Sequence, residues 1–430
     1  LTWNCTGSNR RHNKKKELKR VPFFITLGFK IYAKMTNQIL HAKLKENFGF
    51  EKFRPNQEEI INCILSGHDT LAIMPTGGGK SICFQLPALI FQGITIVISP
   101  LIALMKDQVD HLQKIGIKAA AIYSGMTRPE IIKVLENAVF GGVKILYVSP
   151  ERLSSELFQA KLKHMKVSFI TVDEAHCISQ WGYDFRPSYL HISDIRKLKP
   201  DVSVLALTAT ATTKVIDDIQ ERLGFKEKNV FRMSFERKNL TYVVRLTSDK
   251  DQQLIHILNS VKGSAIVYVR SRKRTKEIAQ MLNDNNIEAT FYHAGLEHYT
   301  KDLRQKEWQN DEKRVIVATN AFGMGIDKPD VRWVIHADPP NSFDELVQQW
   351  GRASRDGKHA DAYLIYVPQT LNSALWLVSK TTPNPERLRI KVEKLRNFHS
   401  FCRSRICRRK QILAYFGEVY SQSNCQSCDI

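Results

Sequence analysis

The stretch Met74-Pro75-Thr76-Gly77-Gly78-Gly79-Lys80-Ser81 decides the fold. Before it, Thr70-Leu71-Ala72-Ile73 reads as a buried strand. After it, Ile82-Cys83-Phe84-Gln85-Leu86 reads as the opening turns of a helix. A glycine-rich turn ending in Lys-Ser, set between strand and helix, is the context of a phosphate-binding loop. Three glycines let the backbone curl so that several N–H groups point at one anion. The helix N-terminus adds partial positive charge. Lys80 is placed to reach the outer phosphates of a nucleoside triphosphate, and the Ser81 hydroxyl to ligate Mg2+. The loop specifies a triphosphate but not what its hydrolysis drives.

Around the loop, from about residue 36 to 235, apolar runs of strand length alternate with helical patterns. The runs are Thr95–Ser99, Lys144–Val148, Phe169–Val172 and Val202–Leu207. They are near-continuous hydrophobics, as expected for parallel strands covered on both faces. The alternation restarts after about 240 with Ala265–Val269, Ala289–Tyr292, Val315–Ala318 and Trp333–His336. The fold class is therefore α/β, with two tandem doubly wound parallel sheets. From about 371 the pattern turns helical and basic and ends in a cysteine cluster.

The chain of 430 residues carries 64 Lys+Arg against 43 Asp+Glu, a net charge of +21. That excess favours polyanion partners, nucleic acid before anionic membrane. No stretch approaches the roughly 20 apolar residues of a membrane span. Residues 1–34 hold nine of the cations and one acid, Glu17. Lys30 and Lys34 interrupt their apolar run and no small-residue cleavage site stands out, which argues against a signal peptide. We read 1–34 as a basic extension outside the fold, or as a basic arm. Cys63, Cys83 and Cys177 sit in apolar surroundings and read as small buried hydrophobes of a reducing compartment.

Two further clusters complete a triphosphate site. Asp173-Glu174-Ala175-His176 follows the strand Phe169–Val172, and acids at a strand's C-terminal end lie where open α/β sheets bind ligands. Asp173 is expected to hold Mg2+, and Glu174 to act as general base on the attacking water. In the second half, Gln348-Gln349-Trp350-Gly351-Arg352-Ala353-Ser354-Arg355-Asp356-Gly357 offers two arginines that would share one face of a helical turn. Arginine aimed at a γ-phosphate stabilises the charge that develops in phosphoryl transfer.

Together these stretches resemble superfamily 2 helicases, and within them the RecQ family of DNA helicases of the bacterial type, from about Leu44 to the end. Phe48-Gly49-Phe50-Glu51-Lys52-Phe53-Arg54-Pro55-Asn56-Gln57 resembles the family's nucleotide-base motif. Ser99-Pro100-Leu101-Ile102-Ala103-Leu104-Met105-Lys106-Asp107-Gln108 is similar to its first DNA-contact motif. Ser179-Gln180-Trp181-Gly182-Tyr183-Asp184-Phe185-Arg186-Pro187 resembles its aromatic-rich loop, the most specific of the set. Ala318-Thr319-Asn320-Ala321-Phe322-Gly323-Met324-Gly325-Ile326-Asp327-Lys328-Pro329 is similar to the fifth helicase motif.

The resemblance implies two RecA-like domains, at 35–236 and 237–370, and a helical zinc-binding module at 371–430. It puts Lys80, Asp173, Glu174, Gln348, Arg352 and Arg355 in the catalytic set. Thr76, Gly77, Gly78, Gly79, Lys80, Ser81 and Asp173 would hold ATP and Mg2+. Phe50 and Arg54 would sandwich the adenine, with Gln57 hydrogen-bonded to its edge. Ser99, Trp181, Phe185 and Arg186 would meet DNA, the two aromatic rings by stacking on bases. His176, Thr208 and Thr210 would couple the ATP site to that loop.

The activity implied is ATP-driven 3′-to-5′ movement on single-stranded DNA, with unwinding of branched or partly duplex DNA in repair and recombination. Repair proteins such as a single-strand-binding protein would be partners, and the place a nucleoid-associated one in the cytoplasm. Rival readings are a translocase that unwinds poorly, an RNA helicase of the Asp-Glu-Ala-His group, and a non-catalytic nucleic-acid-binding scaffold. The aromatic loop and Gln57 speak against the RNA helicase; intact Lys80, Asp173 and Glu174 speak against the scaffold.

The sixth motif departs from the family pattern twice, with Gln349 for glutamate and Ser354 for glycine. A glycine of positive φ replaced by serine would misplace Arg355, so reduced turnover with retained ATP binding is expected. For zinc, Cys407, Cys425 and Cys428 match three ligands of the family's site. The fourth would fall at position 431, one past Ile430, and the family's winged-helix domain would also lie beyond. Cys402, five residues before Cys407, would point about 140° away on a continuous helix.

Overall fold

The computed structural model describes residues 37–182, 184–323 and 328–430, except the side chain of His298. The basic segment 1–34, Tyr183 and Met324-Gly325-Ile326-Asp327 lie outside the described residues. Of the described residues, 37–52 and 53–430 fall in separate units. In the first, a helix spans 37–48 and ends at Gly49, whose positive φ of 71° lets its N–H reach the Lys45 carbonyl at 3.0 Å.

The second unit holds two parallel sheets. The first is built from β1 (Thr70–Ile73), β2 (Ile94–Ile98), β3 (Ala119–Ile122), β4 (Ile145–Val148), β5 (Val167–Val172), β6 (Ser203–Thr208) and β7 (Val230–Arg232), in the order β3-β4-β2-β5-β6-β1-β7. The second is built from β8 (Leu240–Leu246), β9 (Ala265–Tyr268), β10 (Ala289–Tyr292), β11 (Val315–Ala318), β12 (Trp333–His336) and β13 (Ala360–Tyr366), in the order β10-β11-β9-β12-β13-β8. Every residue of β1, β2, β4 and β9 is buried. That burial on both faces is why these strands carry no polar alternation.

The eight strands expected from apolar runs form within a residue or two of their expected bounds, and so does the strand before the phosphate loop. β3, β7, β8 and β13 were not anticipated. Ala119-Ala120-Ala121 has no β-branched residue to signal a strand. β8 and β13 carry exposed or half-buried polar positions, and β8 is an edge whose Leu246 is exposed.

After the second sheet come the helices Thr370–Thr381, Pro385–Arg403 and Arg408–Tyr415. The closing loop pairs with the edge strand: the Asp429 N–H donates to the Tyr242 carbonyl at 3.1 Å, and the Thr241 and Ser427 hydroxyls lie 3.1 Å apart. Phe416 stacks on Phe235 with ring centres 4.1 Å apart. Among the described residues no helix is long and apolar enough to cross a membrane.

Candidate active site between the two sheets

β1 delivers the glycine loop at its carboxyl end, where the Met74 N–H donates to the Thr208 carbonyl of β6 at 3.0 Å. Gly77 and Gly79 both have φ of 81°, the left-handed region that favours glycine. The loop's carbonyls are held from outside. The Gln57 amide donates to the Gly79 carbonyl at 3.0 Å while its oxygen accepts the Arg54 N–H at 2.8 Å, and the Arg54 guanidinium donates to the Gly77 carbonyl. Gln57 thus braces the loop and keeps one N–H and one lone pair for a further partner. Phe50 belongs to the first unit and is half exposed. Ser81 stands at the N-terminus of the helix Ile82–Ile90, with no cap bond from its side chain.

The acids follow β5. Lys80 Nζ lies 3.7 Å from Glu174 Oε1, and Glu174 Oε2 lies 3.3 Å from His176 Nδ1. The same imidazole nitrogen is 3.0 Å from the Thr208 hydroxyl, which donates to the Thr210 carbonyl at 3.1 Å. A continuous polar chain therefore runs from the phosphate loop to the end of β6. Glu174 holds a left-handed φ of 47°, a conformation that costs about 1–2 kcal/mol in a non-glycine residue. Such strain is found at functional sites.

Burial and the neighbouring Glu174 charge push the Asp173 carboxyl above its ordinary range, against the pull of Lys80. Burial pushes Glu174 up as well, but Lys80, His176 and Arg352 outweigh it and hold that carboxyl low. Glu174 is the more acidic member of the pair, because the lysine sits on it. Burial lowers the His176 imidazole against opposition from Glu174. Ser99, one residue past β2, is buried.

The second sheet supplies the arginines, but not on a helical face. The helix Phe343–Trp350 stops before them, and Ser354 turns the chain with φ of 47°. The expected shared helical face is therefore absent; a tight turn sets their directions. Arg355 lies along the phosphate loop: a Cβ built on Gly77 would stand 3.4 Å from its Cγ. Arg352 packs its guanidinium over Gly323, where φ of 118° and the absence of a side chain leave room for it. Arg352 is buried, and its charge helps hold Glu174 low. Gln348 is buried beside it, lining an interdomain cavity with Thr76 and Thr210.

The two departures are accommodated differently. The Ser354 hydroxyl bonds Asp356 at 3.1 Å and the Lys358 carbonyl, and accepts from the Asn239 amide at 3.0 Å. Serine thus takes a glycine's conformation, and Arg355 still reaches the loop. Gln349 Oε1 lies 2.6 Å from His336 Nε2, and burial pushes that imidazole down to about 4, so a neutral amide meets a neutral ring.

In the aromatic loop both rings are already covered. Lys214 Nζ stands 3.0 Å above the Trp181 ring, and the Arg387 guanidinium 4.6 Å from the Phe185 ring. Lys394 donates to the Trp181 carbonyl at 2.7 Å and pairs with Asp344 at 3.4 Å. Arg186 pairs with Asp184 at 2.8 Å and donates to the Pro100 carbonyl at 3.2 Å, tying this loop to the segment after Ser99. The two rings expected to stack on bases are half-buried, and each has a cation over it. Lys394, Asp344, Arg237 and Asn239 escaped the sequence reading because nothing local marks them.

Cys407 immediately precedes the helix Arg408–Tyr415, and its sulfur lies with those of Cys425 and Cys428 inside 4.8 Å of one another. Three thiols at that separation suit the first shell of a tetrahedral zinc ion. Cys402 is buried in the preceding helix, which ends at Arg403, and is not in the group. Broken helix geometry rather than angular phase along one helix separates it from Cys407.

Three family profiles match the chain: DEAD/DEAH box helicase over 54–219, helicase conserved C-terminal domain over 249–357, and RecQ zinc-binding over 369–430. The chain is 43% identical to the ATP-dependent DNA helicase RecQ of Haemophilus influenzae, over 90% of this chain and 62% of that protein. It is 43% identical to the protein of the same name from Bacillus subtilis, over 90% of this chain and 65% of that one. It therefore spans less than two thirds of these relatives. The fold is similar to that of the DEAD-box helicase Mss116 bound to ssRNA (TM-score 0.65, 16% identity, 89% of this chain and 91% of that one). It is also similar to the DUF1998 helicase MrfA bound to DNA (TM-score 0.63, 19% identity, 89% and 59%).

Proposed function

This chain belongs to the RecQ family, and on that premise we propose that it is the motor of an ATP-dependent DNA helicase. The observation that carries the reading is the approach of Arg355 to Gly77 across the two sheets. ATP would lie between them, its phosphates on the N–H groups of Gly77 to Ser81 and beside Lys80. The Ser81 hydroxyl and the Asp173 carboxylate fit a divalent cation, since a buried acid beside Glu174 needs a counter-charge. Such an ion would neutralise phosphate charge. Glu174, held ionised, would take a proton from the water that attacks the γ-phosphorus, as the bond to the ADP oxygen breaks. Arg352 and Arg355 would stabilise the charge on the leaving and transferring oxygens.

The polar chain Glu174–His176–Thr208 supports coupling between hydrolysis and the loop that starts at Ser179. We read the substrate as single-stranded DNA and branched or partly duplex DNA, and the movement as 3′-to-5′. Duplex unwinding in repair and recombination is the role this implies, with zinc at Cys407, Cys425 and Cys428. The test is ATP hydrolysis with no nucleic acid, with single-stranded DNA and with RNA, beside a Lys80→Ala control. Strong stimulation by DNA that vanishes in the control is expected. Absent stimulation would sink the motor reading, and equal stimulation by RNA would favour an RNA helicase.

A further inference from the structure

The turn that carries the two arginines lies outside any helix; the Gly351, Arg352 and Ala353 N–H groups donate back to the Val347, Gln349 and Trp350 carbonyls at 2.9, 3.1 and 3.1 Å, and the Gly357 N–H donates to the Ser354 carbonyl at 3.4 Å. The Ser354 N–H donates to the Val331 carbonyl at 2.9 Å and the Asp356 N–H to the Pro329 carbonyl at 3.1 Å. Three of its carbonyls, those of Gly351, Ala353 and Ser354, accept from two side chains of the segment between the sheets. One terminal nitrogen of Arg237 donates to the Ala353 and Ser354 carbonyls at 2.8 and 2.9 Å, and the other reaches the Gly351 carbonyl at 3.4 Å. The Arg237 Nε donates to Asn239 Oδ1 at 3.3 Å. The Asn239 amide nitrogen lies 2.9 Å from the Lys358 carbonyl, 3.0 Å from the Ser354 hydroxyl and 3.3 Å from the Ser354 carbonyl.

Arg237 is a largely buried cation, and among the described residues no carboxylate stands within ion-pair distance of it. Carbonyl dipoles of the turn meet its charge instead. A guanidinium presents its donors in a rigid fork, so three carbonyls bound to it keep fixed relative positions. The fork is itself anchored. Arg409 donates to the backbone carbonyls of Arg237 and Leu240 at 3.2 and 3.0 Å, and Phe416 stacks on Phe235.

We propose that Arg237, assisted by Asn239, is a positioning residue that holds the turn 351–354 so that Arg352 and Arg355 face the phosphate loop. This rests on the reading of those two arginines as phosphate-facing groups. Arg237 touches no reacting atom; it sets where the reacting partners stand. Lysine in its place keeps the charge but not the fork.

The test compares Arg237→Lys, Asn239→Ala, Arg352→Lys and the double variant Arg237→Lys/Arg352→Lys in the full chain. DNA-stimulated kcat, affinity for a fluorescent ATP analogue and the melting temperature are measured for each. Arg237→Lys is expected to lower kcat at least tenfold with nucleotide affinity within twofold. The double variant is expected within threefold of Arg352→Lys alone, because both changes disable one unit. Asn239→Ala, which leaves the guanidinium in place, should show a smaller loss of kcat at unchanged affinity, and serves if Arg237→Lys does not fold. Full kcat in both clamp variants, affinity falling in step with kcat, or losses that multiply in the double variant would each overturn the proposal. Full activity of Arg352→Lys would instead sink the reading of the arginines, whereas a crippled Arg352→Lys beside a normal Arg237→Lys removes only the clamp.

Discussion

Arg355 of the second sheet lies across Gly77 of the first, its Cγ and Cδ 3.4 and 3.5 Å from where a Cβ on that glycine would stand. Gly77 also has φ of 81°. Alanine there meets the left-handed penalty of about 1–2 kcal/mol and crowds the arginine. Gly77→Ala is therefore expected to weaken ATP binding about five- to thirtyfold, the equivalent of that energy. Single-stranded DNA binding without nucleotide should stay within twofold. Titration with a fluorescent ATP analogue checks the first, and anisotropy of a labelled oligonucleotide the second.

Ser354 separates two costs that usually travel together. Its left-handed φ of 47° is unfavourable by about 1–2 kcal/mol, while its hydroxyl makes bonds worth about 0.5–1.5 kcal/mol each. Ser354→Gly sheds the strain and the bonds together, so stability should hardly change. Ser354→Ala keeps the strain and loses the bonds, so it should melt clearly lower. Turnover gives the second readout: since Arg355 reaches the loop with serine in place, Ser354→Gly should leave DNA-stimulated kcat within about twofold at constant ATP affinity, and a severalfold rise would show that serine displaces the arginine pair.

The phosphate loop, the acids and most of the strands were legible because each is a local pattern. β1 and its glycines follow one another in sequence, and continuous burial leaves a continuous apolar run. What could not be read is whatever depends on residues far apart meeting. Lys394 bonds the Trp181 carbonyl across 213 positions, and Arg237 the turn at Ala353 across 116. Both look like ordinary surface charges in the sequence. The arginine pair was recognisable by composition, yet its helical placement failed, because Ser354 bends the chain through a conformation more typical of glycine.

Lys394 joins three parts of the protein. It bonds the Trp181 carbonyl and pairs with Asp344, on the same helix as Gln348, while the Tyr415 hydroxyl donates to the same Asp344 oxygen at 2.9 Å. Removing the ammonium frees the aromatic loop from the helix that leads to the arginines. Lys394→Ala is expected to cut the ratio of DNA-stimulated to basal ATPase at least fivefold, with basal ATPase within twofold. A ratio unchanged from the parent would show that the bond only packs the loop.

His336 links stability to pH. Its folded value of about 4 lies below the ordinary 6.5, so the folded protein binds fewer protons than the unfolded chain between those values. Its contribution is complete above about pH 6.5 and is lost as pH falls toward 4, with a limiting slope of about 1.4 kcal/mol per pH unit. Gln349 opposes this shift in part, since its carbonyl oxygen also accepts from the protonated ring, but burial outweighs it. In urea unfolding at pH 7, 6 and 5, His336→Gln should lose stability with falling pH less steeply than the parent. Parallel pH profiles would mean that the ring titrates alike in both states.

The thiol group offers a readout independent of the motor. Cys425 and Cys428 sit in the loop whose Ser427 and Asp429 pair with Tyr242, so a zinc ion there would pin the edge of the second sheet. Structural zinc contributes folding energy directly, because its thiolate ligands are brought together only in the folded chain. Cys425→Ser should lower bound zinc to well under one ion per chain and lower the melting temperature by about 5 °C or more. Hydrogen exchange should rise over Leu240–Leu246 while β1 and β5 stay protected. Cys402→Ala removes a sulfur of the same module that is buried in another helix, so it should keep its zinc. Full zinc content in both Cys425→Ser and Cys402→Ala would dissolve the site, and loss in both would mean that folding of the module, not ligation by Cys425, decides occupancy.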